Sequence, residues 1–241
     1  MPSIVDSVNT ATVILGAHLP SVAVILVIVA AIAALADWLA VSEISPSLRR
    51  LELLAKPSVP LALLGAVATA GLLSPPTRAV LIGALAFSCG GDVALMLPDK
   101  GGKLFLVGLG SFLVAQVLYA IDLFVLPHGS VGIGLAIVVI VSVWPTSIVI
   151  RTVTRTAAEL LGPVITYILA ITVMATAAVA SGITPGATNL TVLVGGIAFM
   201  ASDTLLAINR FVRPLRHEAL LVHSTYHVAL FGLTLGILAT A

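Results

Sequence analysis

The sequence predicts an all-α, polytopic integral membrane bundle of eight transmembrane helices, and three observations predict it. Hydrophobic residues make up 60% of the 241-residue chain and charged residues 9%, against roughly 45–50% and 25% in a soluble domain. Pro, Gly and charged residues punctuate the chain into eight apolar runs, each close to the about 20 residues a helix needs to cross a hydrocarbon core. The runs lack the polar–apolar alternation of a transmembrane strand, which excludes a barrel. So few charges cannot solvate the surface of a soluble fold of this length. Soluble enzymes, nucleic-acid readers and disordered scaffolds are therefore excluded together.

The helices are expected near residues 20–40, 53–73, 78–97, 104–126, 131–150, 160–181, 190–209 and 217–239, as one integral membrane domain over 1–241. The connections are too short to fold separately. In the first helix, Ala34-Leu35-Ala36 before Asp37 has the small-residue pattern of a signal-peptide cleavage site, but the first Lys or Arg is Arg49. Without a basic segment ahead of it, a retained helix is expected. An even number of spans puts both termini on one side. The connections on the other side hold Arg49, Arg50, Lys100, Lys103, Arg151, Arg155, Arg210, Arg213 and Arg216; the rest of the chain outside the spans holds only Arg78. By the positive-inside rule the basic connections face the cytoplasm and both termini face outward, in what the Ala- and Val-rich composition reads as a bacterial cell membrane. Cys89 is the single cysteine, so no intrachain disulfide forms.

Ionisable residues within spans each cost about 3 kcal/mol at mid-depth and need a partner, a cavity or a function. Asp37, Lys56, Asp92, Asp122, Asp203, His223 and His227 qualify, with Gln116, Tyr119 and Tyr226 beside them. From the rise per residue, Asp92, Asp203 and His223 lie about 8–10 Å below the cytoplasmic boundary and His227 about 15 Å. Lys56 reaches the same layer by extending its stem. Asp37, next to Trp38 and within a turn of the boundary, reads as an interfacial anchor, and Asp122, near the outer end, as structural. Gln116, Tyr119 and Asp122 recur every three residues along one side of the fourth helix.

Four helices thus bring polar groups to one depth, and several readings follow. The layer is a polar plug, with Lys56 pairing one aspartate and Ser88 or Ser202 bonding the other. Alternatively it is a transport or proton pathway, or a metal-dependent intramembrane lipid hydrolase using His223, His227 and an aspartate. His223 and His227, four residues apart, are a weak metal signal that needs further ligands; hydrogen-bonding histidines are the favoured reading, and no metal or cofactor is expected. A purely structural or assembly role is the remaining alternative. Gly91-Asp92-Val93-Ala94-Leu95 and Ser202-Asp203-Thr204-Leu205-Leu206 share the pattern small, Asp, any, any, Leu. Both lead into a basic connection, as a parallel 4+4 internal repeat would require, and such a repeat favours Asp92 and Asp203 facing each other.

The sequence resembles the integral membrane proteins named for bacterial YhhN and animal transmembrane protein 86, the lysoplasmalogenases. The resemblance runs through Lys56-Pro57, Phe87-Ser88-Cys89-Gly90-Gly91-Asp92-Val93-Ala94-Leu95-Met96, Phe105, Gly108-Leu109, Ser111-Phe112-Leu113, Ala115 and Tyr119. It continues with Ser202-Asp203-Thr204-Leu205-Leu206-Ala207 and Phe211, and ends with Tyr226 and Ala229. These blocks lie in order over about residues 50–236.

The resemblance implies a membrane hydrolase that cleaves the vinyl ether bond of lysoplasmalogens, releasing a fatty aldehyde and a glycerophospho-base. It implies Asp92 and Asp203 as catalytic residues. A lysophospholipid substrate and membrane lipids are the expected partners, with no nucleic acid. Vinyl ether hydrolysis needs an acid to protonate the alkene carbon and an anion to stabilise the oxocarbenium ion, work that paired carboxyls do in glycoside hydrolysis. Lys56, Ser88, Gln116, Tyr119, Ser202, His223, Tyr226 and His227 are the expected substrate-binding residues. The chain departs from the family where it has Gln116 for a usual His, His227 for a second Tyr and Leu230 for a Gln, all around the site or its entrance.

Overall fold

The computed structural model describes residues 19–42, 49–98, 102–186 and 189–240. Among them the chain forms α1 (Ser21–Val41), α2 (Arg49–Ala70), α3 (Pro75–Met96), α4 (Lys103–Val125), α5 (Val131–Thr156), α6 (Leu161–Gly182), α7 (Leu190–Ala207) and α8 (Glu218–Leu238). A 3₁₀ turn, Ala158–Leu160, leads into α6, and α7 runs on as a π-helical turn over Ile208–Val212. All eight spans are long and apolar enough to cross a membrane, and the described residues contain no strand. The expected Lys100 lies outside the described residues.

Four helix ends in α2, α3 and α5 differ from expectation. Helix α2 begins at Arg49 and stops at Ala70, because Gly71 takes φ +67°, the left-handed conformation that ends helices. Arg49 and Arg50 are therefore its first turn and not a connection. Helix α5 continues to Thr156, a turn and a half past the expected end, so Arg151 and Arg155 are helical. Its start is set by Ser130, whose hydroxyl accepts a hydrogen bond from the Ile133 amide, as Asn189 does from Val192 at the start of α7. Helix α3 opens earlier than expected, at Pro75, a residue suited to a first helical position because its missing N–H is not needed there.

Consecutive helices pair along the chain: α1 with α2, α3 with α4, α5 with α6, and α7 with α8. The order of neighbours is the same in the two halves, and α4 against α6 and α2 against α8 join them. Helices α6 and α8 lie innermost, while α5 turns most of its surface outward. Lipid gives little hydrophobic drive between helices, so small residues that allow close packing set the contacts. A Cβ on Gly195 would meet the Leu233 amide nitrogen at 2.5 Å, so α7 and α8 touch backbone to backbone. A Cβ on Gly91 would meet the Phe112 ring at 2.6 Å, which seats α3 on α4 one residue before Asp92. In α2, Pro57 and Pro60 each remove a backbone hydrogen bond one turn earlier, and Lys56 lies at this loosened stretch.

Candidate active site

The intramembrane polar residues form two clusters on either side of one cavity. The cavity, about 300 Å³, is lined by Lys56 and Glu52 of α2, Asp92 of α3, Phe112 of α4, Ser202 and Asp203 of α7, and Glu218, His223 and Tyr226 of α8. Its lining includes Met96 and Leu206 and the start of α8, so it opens toward the end of the bundle where the basic residues gather. Ser202 turns its hydroxyl to the Val222 carbonyl at 3.0 Å, a bond that ties α7 to α8 beside the cavity.

On one side stands Asp92, fully buried. Its Oδ2 accepts a hydrogen bond from the Tyr226 hydroxyl at 2.8 Å, and its Oδ1 lies 3.6 Å from Lys56 Nζ. Lys56 Nζ is also 3.1 Å from His223 Nε2, and His223 Nδ1 is 2.8 Å from Asp37 Oδ2. The chain of contacts therefore runs across α3, α2, α8 and α1. The anchor role expected of Asp37 is corrected here: it is fully buried and faces α8. Position along a helix gives depth, but the direction of the side chain depends on packing. The small face Ala23, Val27, Ala30, Ala33, Ala34 and Ala40 turns this side of α1 inward.

On the other side stands Asp203. Its Oδ2 accepts hydrogen bonds from Gln116 Nε2 and the Tyr167 hydroxyl, both at 2.7 Å, and Gln116 Nε2 is 2.9 Å from that hydroxyl. Among the described residues no cationic side chain forms an ion pair with Asp203, in contrast to Asp92. Tyr167, on α6, went unread in the sequence. A lone tyrosine in an apolar run, with Val164 and Ala170 three residues to either side, gives no spacing signal; its hydroxyl within a span is the only mark. Asp203 also lines a second, smaller and mostly apolar pocket of about 80 Å³ between α4, α5, α6 and α7, with Phe105, Val149, Val164, Ile171, Met200 and Arg210 around it. Arg210 sits over the Phe105 ring, 4.7 Å from its centroid, at the basic end of this pocket.

Several expected substrate-binding residues lie outside the cavity lining. Ser88, Tyr119 and His227 are buried behind it, and Gln116 reaches it only through Asp203. The expected bond from Ser88 or Ser202 to the aspartate that Lys56 does not pair is not formed among the described residues: Ser202 bonds the Val222 carbonyl, and Asp203 accepts from Gln116 and Tyr167. Tyr119 packs edge-on against Phe199, at 6.2 Å between ring centroids. His227 stacks on Trp38 at 6.1 Å, with its Nε2 3.9 Å from Asp37 Oδ2. Among the described residues no group of three or more His, Cys, Asp or Glu side chains is arranged to hold a metal ion.

The pair of membrane carboxyls on α3 and α7, each with a tyrosine hydroxyl, falls within a stretch that matches a known family model. The YhhN family model covers residues 51–237. The chain belongs to the YhhN family. No curated protein and no solved structure matches it. Asp92, Asp203, Lys56, Gln116, Tyr167 and Tyr226 all lie within the matched stretch, whereas Asp37 precedes it. Membership in the YhhN family is consistent with a hydrolase.

Proposed function

We propose that the protein is a lysoplasmalogenase-like hydrolase of the cell membrane that cleaves the vinyl ether bond of alkenyl glycerophospholipids. The observation that carries this reading is the position of Asp203, which lines both the polar cavity and the apolar pocket. A single-chain ether lipid has a polar head and an apolar tail joined at the bond to be cut. A site for it needs its acid at such a junction.

The partners of the two carboxyls assign the roles. Asp92 has Lys56 as its cation and acts as the anion. Asp203 has only neutral donors, both on Oδ2, which leaves Oδ1 free to carry a proton. Asp203 gives that proton to the alkene carbon remote from the ether oxygen. The Asp92 carboxylate stabilises the resulting oxocarbenium ion and takes a proton from the water that attacks it. The hemiacetal then collapses: Asp92 returns its proton to the glycerol oxygen as the C–O bond breaks, and Asp203 takes the hydroxyl proton. One water is consumed, aldehyde and glycerophospho-base leave, and both carboxyls regain their starting states. The third Lys56 N–H faces the phosphate, and Glu52 and Glu218 at the mouth face the ammonium of the base.

Hydrolysis of lysoplasmenyl-ethanolamine in D2O by the purified protein tests the reaction type. The first step places one deuterium on the aldehyde carbon next to the carbonyl. Aldehyde with no carbon-bound deuterium at early times would contradict it. The basic ends are proposed to face the cytoplasm; in a C89S background, S74C should react with an impermeant thiol reagent on intact cells and R155C should not. The reverse pattern would invert the topology.

A further inference from the structure

We infer that Asp37 and His223 form a positioning pair that holds the Lys56 amine between His223 Nε2 and the Asp92 carboxylate; this rests on the hydrolase reading above. The evidence is geometric. Asp37 Oδ2 lies 2.8 Å from His223 Nδ1, and His223 Nε2 lies 3.1 Å from Lys56 Nζ. A carboxylate only accepts, so the bond to Asp37 puts the single imidazole hydrogen on Nδ1 and leaves a lone pair on Nε2. That lone pair is what an ammonium needs at 3.1 Å. In the other tautomer, Nε2–H would face the Lys56 ammonium donor to donor and push it away.

The pair is needed because Lys56 is otherwise poorly fixed. Its four-carbon stem is flexible, its carboxylate partner is 3.6 Å away, and the loosened α2 backbone around Pro57 and Pro60 adds little restraint. With His223 as a second acceptor, the nitrogen has two fixed partners and one N–H left for the cavity. Asp37 touches neither the cavity nor Asp92, so it acts through His223 as a positioning residue. The family match begins at residue 51, so the carboxylate on α1 is supplied from outside the matched stretch. His227, whose Nε2 is 3.9 Å from the same Asp37 oxygen, is too far for a hydrogen bond and leaves that oxygen to His223.

The test compares full-length wild type, D37A and D37N in detergent, reading kcat and KM for aldehyde release together with the imidazole ¹⁵N spectrum, in which H223Q assigns His223. The expected spectrum of wild type shows His223 protonated on Nδ1 and bare on Nε2. D37A should lose that single tautomer and lower kcat about 10- to 100-fold, the size of effect that orienting partners have on a working group, with KM within about twofold. D37N, whose amide oxygen still accepts from Nδ1, should recover most of the activity. A folded D37A with wild-type kcat, a rise in KM alone, or a wild-type His223 protonated on Nε2 would overturn the inference. If wild type releases no aldehyde, the hydrolase reading fails, and the spectrum still decides the positioning pair on the same criterion. Should D37A not fold, H223Q kinetics and the wild-type spectrum decide it: H223Q with unchanged kcat overturns it.

Discussion

Lys56 Nζ and Asp92 Oδ1 stand 3.6 Å apart, and both side chains are withdrawn from solvent, at 9% and 1% exposure. Removing one member of such a pair leaves the other's charge uncompensated, at a cost of about 3–5 kcal/mol. K56M should therefore lower the melting temperature markedly, and K56M/D92N should be more stable than K56M alone. A thermal-unfolding double-mutant cycle in detergent measures this. Strictly additive effects would show that the two groups do not interact.

The tyrosines support different carboxyls and should separate kinetically. Tyr167 bonds Asp203 at 2.7 Å and Tyr226 bonds Asp92 at 2.8 Å. Hydrogen bonds to charged groups are worth about 1.5–3 kcal/mol; in the proposed mechanism Asp203 gains its charge as its proton leaves and Asp92 holds its charge throughout the first step, so Y167F and Y226F should each lower kcat about 10- to 100-fold. In the proposed mechanism Asp203 delivers the proton to carbon, so Y167F should raise the solvent isotope effect on kcat and Y226F should not. Equal isotope effects in the two variants would contradict the assignment of acid and anion.

The apolar pocket should set the length of the chain accepted. Ile171 and Met200 line it next to Asp203. Filling it with I171W should raise KM for substrates with long alkenyl chains about tenfold and leave short-chain substrates near wild type, since each buried CH₂ contributes about 0.8 kcal/mol. Chain-length profiles of both proteins check this; a uniform loss at all lengths would place the chain elsewhere.

At the mouth, Glu52 and Glu218 should read the head-group base. E52Q/E218Q is expected to raise KM for the ethanolamine substrate about tenfold, the loss of about 1.4 kcal/mol of charge-assisted bonding, without affecting an alkenyl glycerophosphate that has no base. Equal effects on both substrates would remove the glutamates from head-group recognition.

Much of this architecture is readable in the amino-acid sequence because a bilayer imposes length and polarity on every span. The eight helices, the layer of Lys56, Asp92, Asp203 and His223, and the gathering of basic residues at one end follow from hydropathy and the rise per residue alone. Rotation about each helix axis does not. Asp37 beside Trp38 looks interfacial by depth, yet its face of α1 is made of alanines and packs inward. Tyr119 shares a helix side with Gln116 but points to Phe199, while Gln116 turns to Asp203 and the unread Tyr167. Depth depends on one chain segment; facing depends on which segments pack together.

The most direct test of the two-carboxyl site is aldehyde release from lysoplasmenyl-ethanolamine by purified wild type, D92N and D203N at matched thermal stability. Wild type should release aldehyde and both variants should fall by at least about a hundredfold, the scale of general acid–base catalysis. Full activity in either variant, or none in well-folded wild type, would contradict the account.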